Sequence, residues 1–350
     1  MKIRVPFVAF LVLLLSGGTV SAASFSGLYT FGDSLSDVGS SPSAVMSLYK
    51  TLADNCDPTH PCGPYFEGRI SNGPVASERL AEILFPGTTQ TKFLSYAVAG
   101  ATSGIGNSGD GGTATKPGDM LPIPVPGVFP LPGMKGELEQ YAKDSGGTAD
   151  PNALYLVWGG ANDYLTGDNA TLAAQNIGGY IGELAGMGAR HFLVPNVGDL
   201  GRTPFAITNN EVTSAHDFSV AFNTELDAQL GSLSSQFPAA DIFQFDTYSF
   251  LNGVIADPLA NDFTNVQDSC LALGCGDPGN PASPDSHGFL YWDDFHPTTH
   301  GHAVLASAFA SAVPEPGIVA MFIGGLFVLG VAGQRRRKIG HFRGFAETTA

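Results

Sequence analysis

Positive charge is scarce in this sequence. Its 350 residues hold 16 Lys and Arg against 32 Asp and Glu, a formal net charge of −16. Seven of the 16 (Lys2, Arg4, Arg335, Arg336, Arg337, Lys338 and Arg343) lie in the two ends, where the only acids are Glu315 and Glu347. The body between them therefore carries nine positive and 30 negative side chains. A surface of that sign repels phosphate backbones and anionic headgroups, which excludes nucleic acid as a partner. Cysteine is equally scarce. The four residues fall into two close pairs, Cys56 with Cys62 and Cys270 with Cys275, and neither pair has the two-residue spacing of a thiolate zinc site. In an oxidising exterior each pair is expected to clip its own loop as a disulfide, although three pairings are possible on paper.

Long apolar runs occur only at the ends. Residues 1–22 place Lys2 and Arg4 before "FVAFLVLLL" and end in Val20-Ser21-Ala22, the charged, apolar and small-residue parts of a secretory signal. The second run, "GIVAMFIGGLFVLGVAG", covers residues 317–333 and is 17 residues long, at the short end of what spans a bilayer. It follows "VPEP" and precedes the basic cluster Arg335 to Lys338, which would hold that end on the cytoplasmic side. Residues 313–338 resemble the PEP-CTERM sorting signal of Gram-negative bacteria. That resemblance implies recognition by a membrane exosortase and release toward the cell surface or extracellular matrix. The chain continues as a 12-residue tail, 339–350, which departs from the pattern and leaves a permanent single-span anchor in the inner membrane as the alternative.

Between these segments, residues 23–312 form a body long enough for one large domain. Short β-like runs are predicted at 28–31, 93–98, 153–158, 191–195 and 242–245. Stretches of helical period separate them: "PVASERLAEIL", "TLAAQNIGGYIGELAGMG", "SVAFNTELDAQLGSL" and "HGHAVLASAFASA". Alternation of this kind predicts an α/β protein whose parallel sheet is covered on both faces, with ligands beyond the carboxyl ends of the strands.

Four loops at those ends carry groups that can react or donate. "FGDSLSDVG" follows the first strand, "SYAVAGATSG" the second and "GGANDY" the third, while "YWDDFHPTTHGH" leads into the last helix. A serine hydroxyl needs a base, and the base needs an orienter. His296 and Asp293 can supply both from one turn. An oxyanion then needs donors, for which the amides of Ser34 and Gly100 and the side chain of Asn162 are the candidates. No G-x-S-x-G occurs, so the nucleophile elbow of the α/β-hydrolases is excluded.

These four stretches resemble the blocks of the GDSL, or SGNH, hydrolase family, and "GARHFLVPNVGDLGRTP" and "DTYSFLNGVIADPLANDFTNVQDSCL" resemble its plant-lipase-like branch. The likeness runs from about Tyr29 to Ala310. It implies a flavodoxin-like three-layer α/β/α fold with five parallel strands, and esterase or lipase activity without a metal or other cofactor. Carried over residue by residue, it makes Ser34 the nucleophile, His296 the base, Asp293 its orienter, and Gly100 and Asn162 oxyanion donors with Ser34. Many members have two glycines in the second block, where this chain has Ala99 before Gly100.

Other polar residues have plainer readings. Asp37 is expected to be a helix N-cap, Asp163 to brace the loop beneath Asn162, and Asp294 to be solvated. His300 and His302 form H-x3-H-x-H with His296, but positions 300 and 302 point apart on a helix, so no metal site is expected. In the insertion 106–136, the first half reads as a flexible Gly-rich loop. In its second half Leu121, Ile123, Val125, Val128, Phe129 and Leu131 either form a flap beside an acyl pocket or pack over the sheet edge. Two classes of function fit the whole: a secreted serine esterase, or a surface or matrix protein that binds on the same fold with a vestigial site. The full set of nucleophile, base, orienter and donors points to the first. Fatty-acyl esters, phospholipids and acetylated polysaccharide remain open as substrates.

Overall fold

The core strand is apolar along its whole length because the sheet is covered on both sides. In this computed structural model, which describes residues 25–43, 64–119, 130–275 and 285–313, every residue of Leu154–Trp158 is buried. Strands β1 (Leu28–Gly32), β2 (Phe93–Ser95), β3 (Leu154–Trp158), β4 (His191–Pro195) and β5 (Asp241–Phe245) make one parallel sheet in the order β2-β1-β3-β4-β5. That order is the flavodoxin-like doubly wound arrangement.

Helices α1 (Ala76–Leu84), α2 (Met134–Asp144), α3 (Ala161–Leu165), α4 (Ala170–Met187), α5 (Pro204–Thr208), α6 (Val212–Gln236), α7 (Thr247–Ala256) and α8 (Thr299–Ala312) surround it. Alternate side chains of β3 go to opposite faces. Leu154, Leu156 and Trp158 pack with Leu80 of α1 and Leu305 and Phe309 of α8. Tyr155 and Val157 pack with Leu138 of α2, Ile177 and Ile181 of α4, and Phe222 and Leu226 of α6. The three-layer α/β/α fold is thereby established.

Several boundaries differ from the sequence reading. β2 stops at Ser95 instead of Val98, although Tyr96 N and Val98 N still donate to Thr30 O and Gly32 O at 2.8 and 3.3 Å. The Val98 amide also reaches Glu137, which draws the chain out of a regular ladder. α6 begins seven residues earlier than its predicted stretch, and α7 was not foreseen. Its signal was present: the Asp246 carboxylate accepts from Ser249 N at 3.0 Å as an N-cap. A second sheet joins β6 (Asn265–Ser269) and β7 (Phe289–Tyr291). The Cys270–Cys275 disulfide closes the loop after β6, as expected of a local pair.

Residues 106–119 are not a loose loop. Gly106 N donates to Thr113 O, Gly112 N to Asn107 O, and Ala114 N to Asp168 Oδ2 at 2.7 Å. Glycine makes this compactness possible: at Gly104 a Cβ would collide with the Ala114 carbonyl. Leu131 is buried beside this knot, and Leu131 N donates to Asp110 Oδ2 at 2.7 Å. The other five flap residues, the Cys56–Cys62 pair, the signal 1–22 and everything from residue 314 on lie outside the described residues. Among the described residues no helix is long and apolar enough to cross a membrane.

Candidate active site

β1 and β3 neighbour one another at the centre of the sheet, and their carboxyl ends deliver Ser34 and Asn162 to one cleft. Gly32, the last residue of β1, lies so close to the Trp158 carbonyl that any Cβ would collide with it. The chain then turns, with the amides of Ser36 and Asp37 both donating to Asp33 O, and the turn sets Ser34 toward the cleft.

Ser34 Oγ lies 2.7 Å from His296 Nε2, across 262 residues of sequence. His296 Nδ1 lies 2.8 Å from both carboxylate oxygens of Asp293, so Nδ1 carries the proton and Nε2 is free to accept from the serine. The carboxylate also accepts from the amides of Phe295 and His296 at 2.9 and 2.7 Å. Burial alone would raise the Asp293 pKa, but His296 and these amides outweigh it and hold the group below its ordinary range.

Of the candidate oxyanion donors, Ser34 and Asn162 line the cleft. Neither Ser34 N nor Gly100 N donates to a protein acceptor among the described residues. Asn162 Nδ2 gives one hydrogen to Ala101 O at 3.0 Å, leaving its second for a ligand. Gly100 has φ +81° and a Cβ there would strike Asn107 Oδ1, so glycine is required.

Several contributing residues escaped the sequence reading. Tyr65 Oη donates to Asp293 Oδ2 at 2.9 Å, and its ring packs on the cluster of Cys270, Cys275, Phe289 and Trp292. Burial, reinforced by the Asp293 charge, pushes the Tyr65 pKa upward, so it stays a donor. Ser71 Oγ donates to Pro297 O at 2.8 Å, and Thr299 N donates to Asn72 Oδ1 at 2.7 Å, which fixes both ends of the turn into α8. Ser108 Oγ sits 3.0 Å from Gly100 O and 3.3 Å from Asn162 Oδ1, its single proton shared between two donor loops. Glu137 is fully buried beneath the nucleophile and accepts from Gly32 N and Val98 N at 2.8 and 3.2 Å. Burial drives its pKa well up despite those amides. None of these has a local motif, because each has a partner remote in sequence. Tyr65→Phe is expected to lower kcat three- to tenfold with KM unchanged and to move the acid limb of the kcat/KM pH profile; an identical profile and rate would show that the hydroxyl only fills space.

Asp37 is a correction. It caps no described helix; instead Oδ1 accepts from Gly39 N and Oδ2 from Ala99 N, both at 2.8 Å, tying the first loop to the second. Asp163 braces as expected, but its partner is remote: Ser103 N and Oγ donate to it at 2.8 and 2.6 Å. Asp294 is exposed. His302 is buried against α1, accepting from Ala76 N at 3.2 Å, and burial with the nearby His296 lowers its pKa to about 3. His300 turns away to Asn261 O at 2.9 Å, and no metal-binding cluster occurs among the described residues.

Burial pushes Asp33 up to about 6 and Asp163 up to about 7, against the Leu35 and Ser103 donors that oppose it. Both groups hold a proton in the folded chain at pH values where the unfolded chain, ionising near 4, has lost it. Their stabilisation is thus complete below about pH 4 and gone above about pH 7, worth roughly 3 kcal/mol for Asp33 and roughly 4 kcal/mol for Asp163. The thermal midpoint is expected to be higher at pH 5 than at pH 7.5, and a scan showing the reverse would contradict these assignments.

Comparison with known proteins adds the lineage. The profile of the family described as GDSL-like Lipase/Acylhydrolase matches residues 28–309. The chain belongs to that family. It is accordingly a carboxylic ester hydrolase, as the family homologues support. It is 28% identical to the phosphatidylcholine-sterol acyltransferase of Aeromonas hydrophila over 349 residues, covering 87% of this chain and 94% of that protein. It is 24% identical to acetylajmalan esterase 2 of Rauvolfia serpentina, covering 85% and 93%. A crystal structure of a lipolytic G-D-S-L family protein from Veillonella parvula aligns with a TM-score of 0.40 at 13% identity, covering 81% of this chain and 94% of that one.

Proposed function

We propose that the protein is a secreted serine esterase that hydrolyses carboxylic esters through an acyl-enzyme on Ser34. The observation that carries this is the unbroken relay from Ser34 Oγ through His296 to Asp293, with links of 2.7 and 2.8 Å. As Oγ attacks the ester carbonyl carbon, His296 Nε2 takes its proton and the imidazolium is stabilised by Asp293. The amides of Ser34 and Gly100 and the second Nδ2 hydrogen of Asn162 receive the oxyanion. Collapse breaks the bond to the leaving oxygen, which takes the proton back from His296 and departs as the alcohol. Water then enters, loses a proton to His296, and releases the carboxylic acid by the same route.

Secretion rests on the 1–22 signal and on the Cys270–Cys275 disulfide. The PEP-CTERM-like segment adds an exosortase partner and a destination at the cell surface or in the matrix of a Gram-negative bacterium. A fluorophosphonate reagent tests the chemistry directly: one equivalent should attach to Ser34, read by peptide mass, and abolish turnover in proportion. Labelling elsewhere, or full activity after complete labelling, would sink the mechanism.

A further inference from the structure

The catalytic cleft, about 90 Å³, has a neighbour. A partly enclosed cavity of about 70 Å³ shares Leu35, Ala161, Leu200 and Phe295 with it, and the polar Asp33 and Thr203 as well. Its far side is built from Trp158 at the end of β3, Val197 after β4, Leu251 and Ile255 on α7, and Leu305 on α8. The polar lining is slight, and the Asp199 and Arg202 that border it are paired with each other at 3.8 Å. Phe295, which lines both, is held by stacking on Phe205, their centroids 4.4 Å apart.

We infer that this cavity takes the distal part of the substrate's acyl chain and sets the chain length the enzyme prefers. The inference rests on the serine-hydrolase reading above. An apolar chamber gains free energy from methylenes, which excludes sugars and charged headgroups from it. The order of events assigns it to the acyl side. The alcohol must leave before water can enter, and an alcohol lodged in the chamber would have to pass the acyl group still bound to Ser34. The acyl chain stays attached through both steps, so a partly enclosed chamber does not hinder it. At about 30 Å³ per small group, the chamber holds two or three carbons and the cleft a similar number, so the chain accepted is about four to six carbons.

The test uses two ester series with the wild-type chain. With p-nitrophenyl esters from acetate to decanoate, kcat/KM is expected to rise roughly fourfold per methylene until the chamber is full, then level or fall. With acetate esters from ethanol to octanol, no comparable rise is expected. Two variants move the limit in opposite directions. Leu251→Phe should lower the hexanoate-to-acetate ratio at least tenfold, and Ile255→Ala should raise the octanoate-to-acetate ratio. A flat acyl profile, a rise confined to the alcohol series, or unchanged ratios in either folded variant overturns the assignment while leaving the esterase intact. Absence of turnover on every ester, acetate included, overturns the serine-hydrolase reading and this one with it.

Discussion

Ser34→Ala is expected to lower kcat/KM for p-nitrophenyl butyrate by about 10⁴-fold or more, the loss typical of removing a nucleophile that works as a unit with its base. The fold should not notice. Ser34 is 7% exposed, and the one side-chain hydrogen bond it makes among the described residues is to His296. A thermal scan of the variant should therefore overlay the wild type, which separates lost chemistry from lost structure. Residual turnover above one per cent in a preparation free of wild type would mean that another group attacks the ester.

The second large effect is at Asn162. Removing a single oxyanion donor costs about 10²–10³ in kcat, so Asn162→Ala should fall in that range with KM little changed. Asn162 also donates to Ala101 O, and Ser108 approaches its Oδ1, so truncation loosens the second loop as well. Ser108→Ala separates the two roles. It keeps the Asn162 amide but removes the proton shared with Gly100, and a loss below about tenfold is expected. Equal losses in both variants would show that loop position, and not the amide donor, accounts for the effect.

The contact among Ser34, His296 and Asp293 was legible because each sits in a short block whose chemistry is local. Asp293 and His296 are three residues apart in one turn, and Ser34 comes two residues after a strand of five. The sheet was legible for a related reason: β3 is apolar on both faces, and its short uninterrupted run marks it. What stayed hidden are the residues that hold the blocks to one another. Tyr65 reaches Asp293 across 228 positions, Glu137 reaches Gly32 across 105, and Asp163 reaches Ser103 across 60. Nothing in the neighbourhood of Tyr65 marks it, since an isolated tyrosine in "GPYF" reads as ordinary loop. Asp37 misled for a related reason. An aspartate in a turn is a good N-cap by local rules, and only the position of Ala99 shows where its second oxygen goes.

The span between Ser34 and His296 also has a consequence in time. The nucleophile is laid down with the first strand, while its base arrives with the turn before the last helix, 262 residues later. Contacts this distant in sequence form late and slowly. A chain still being synthesised thus holds Ser34 without its His296 partner. Ester cleavage switches on only when the two extremities of the fold have met. Recovery of turnover after dilution from denaturant is therefore a readout of the final docking step, trailing any signal from the sheet itself.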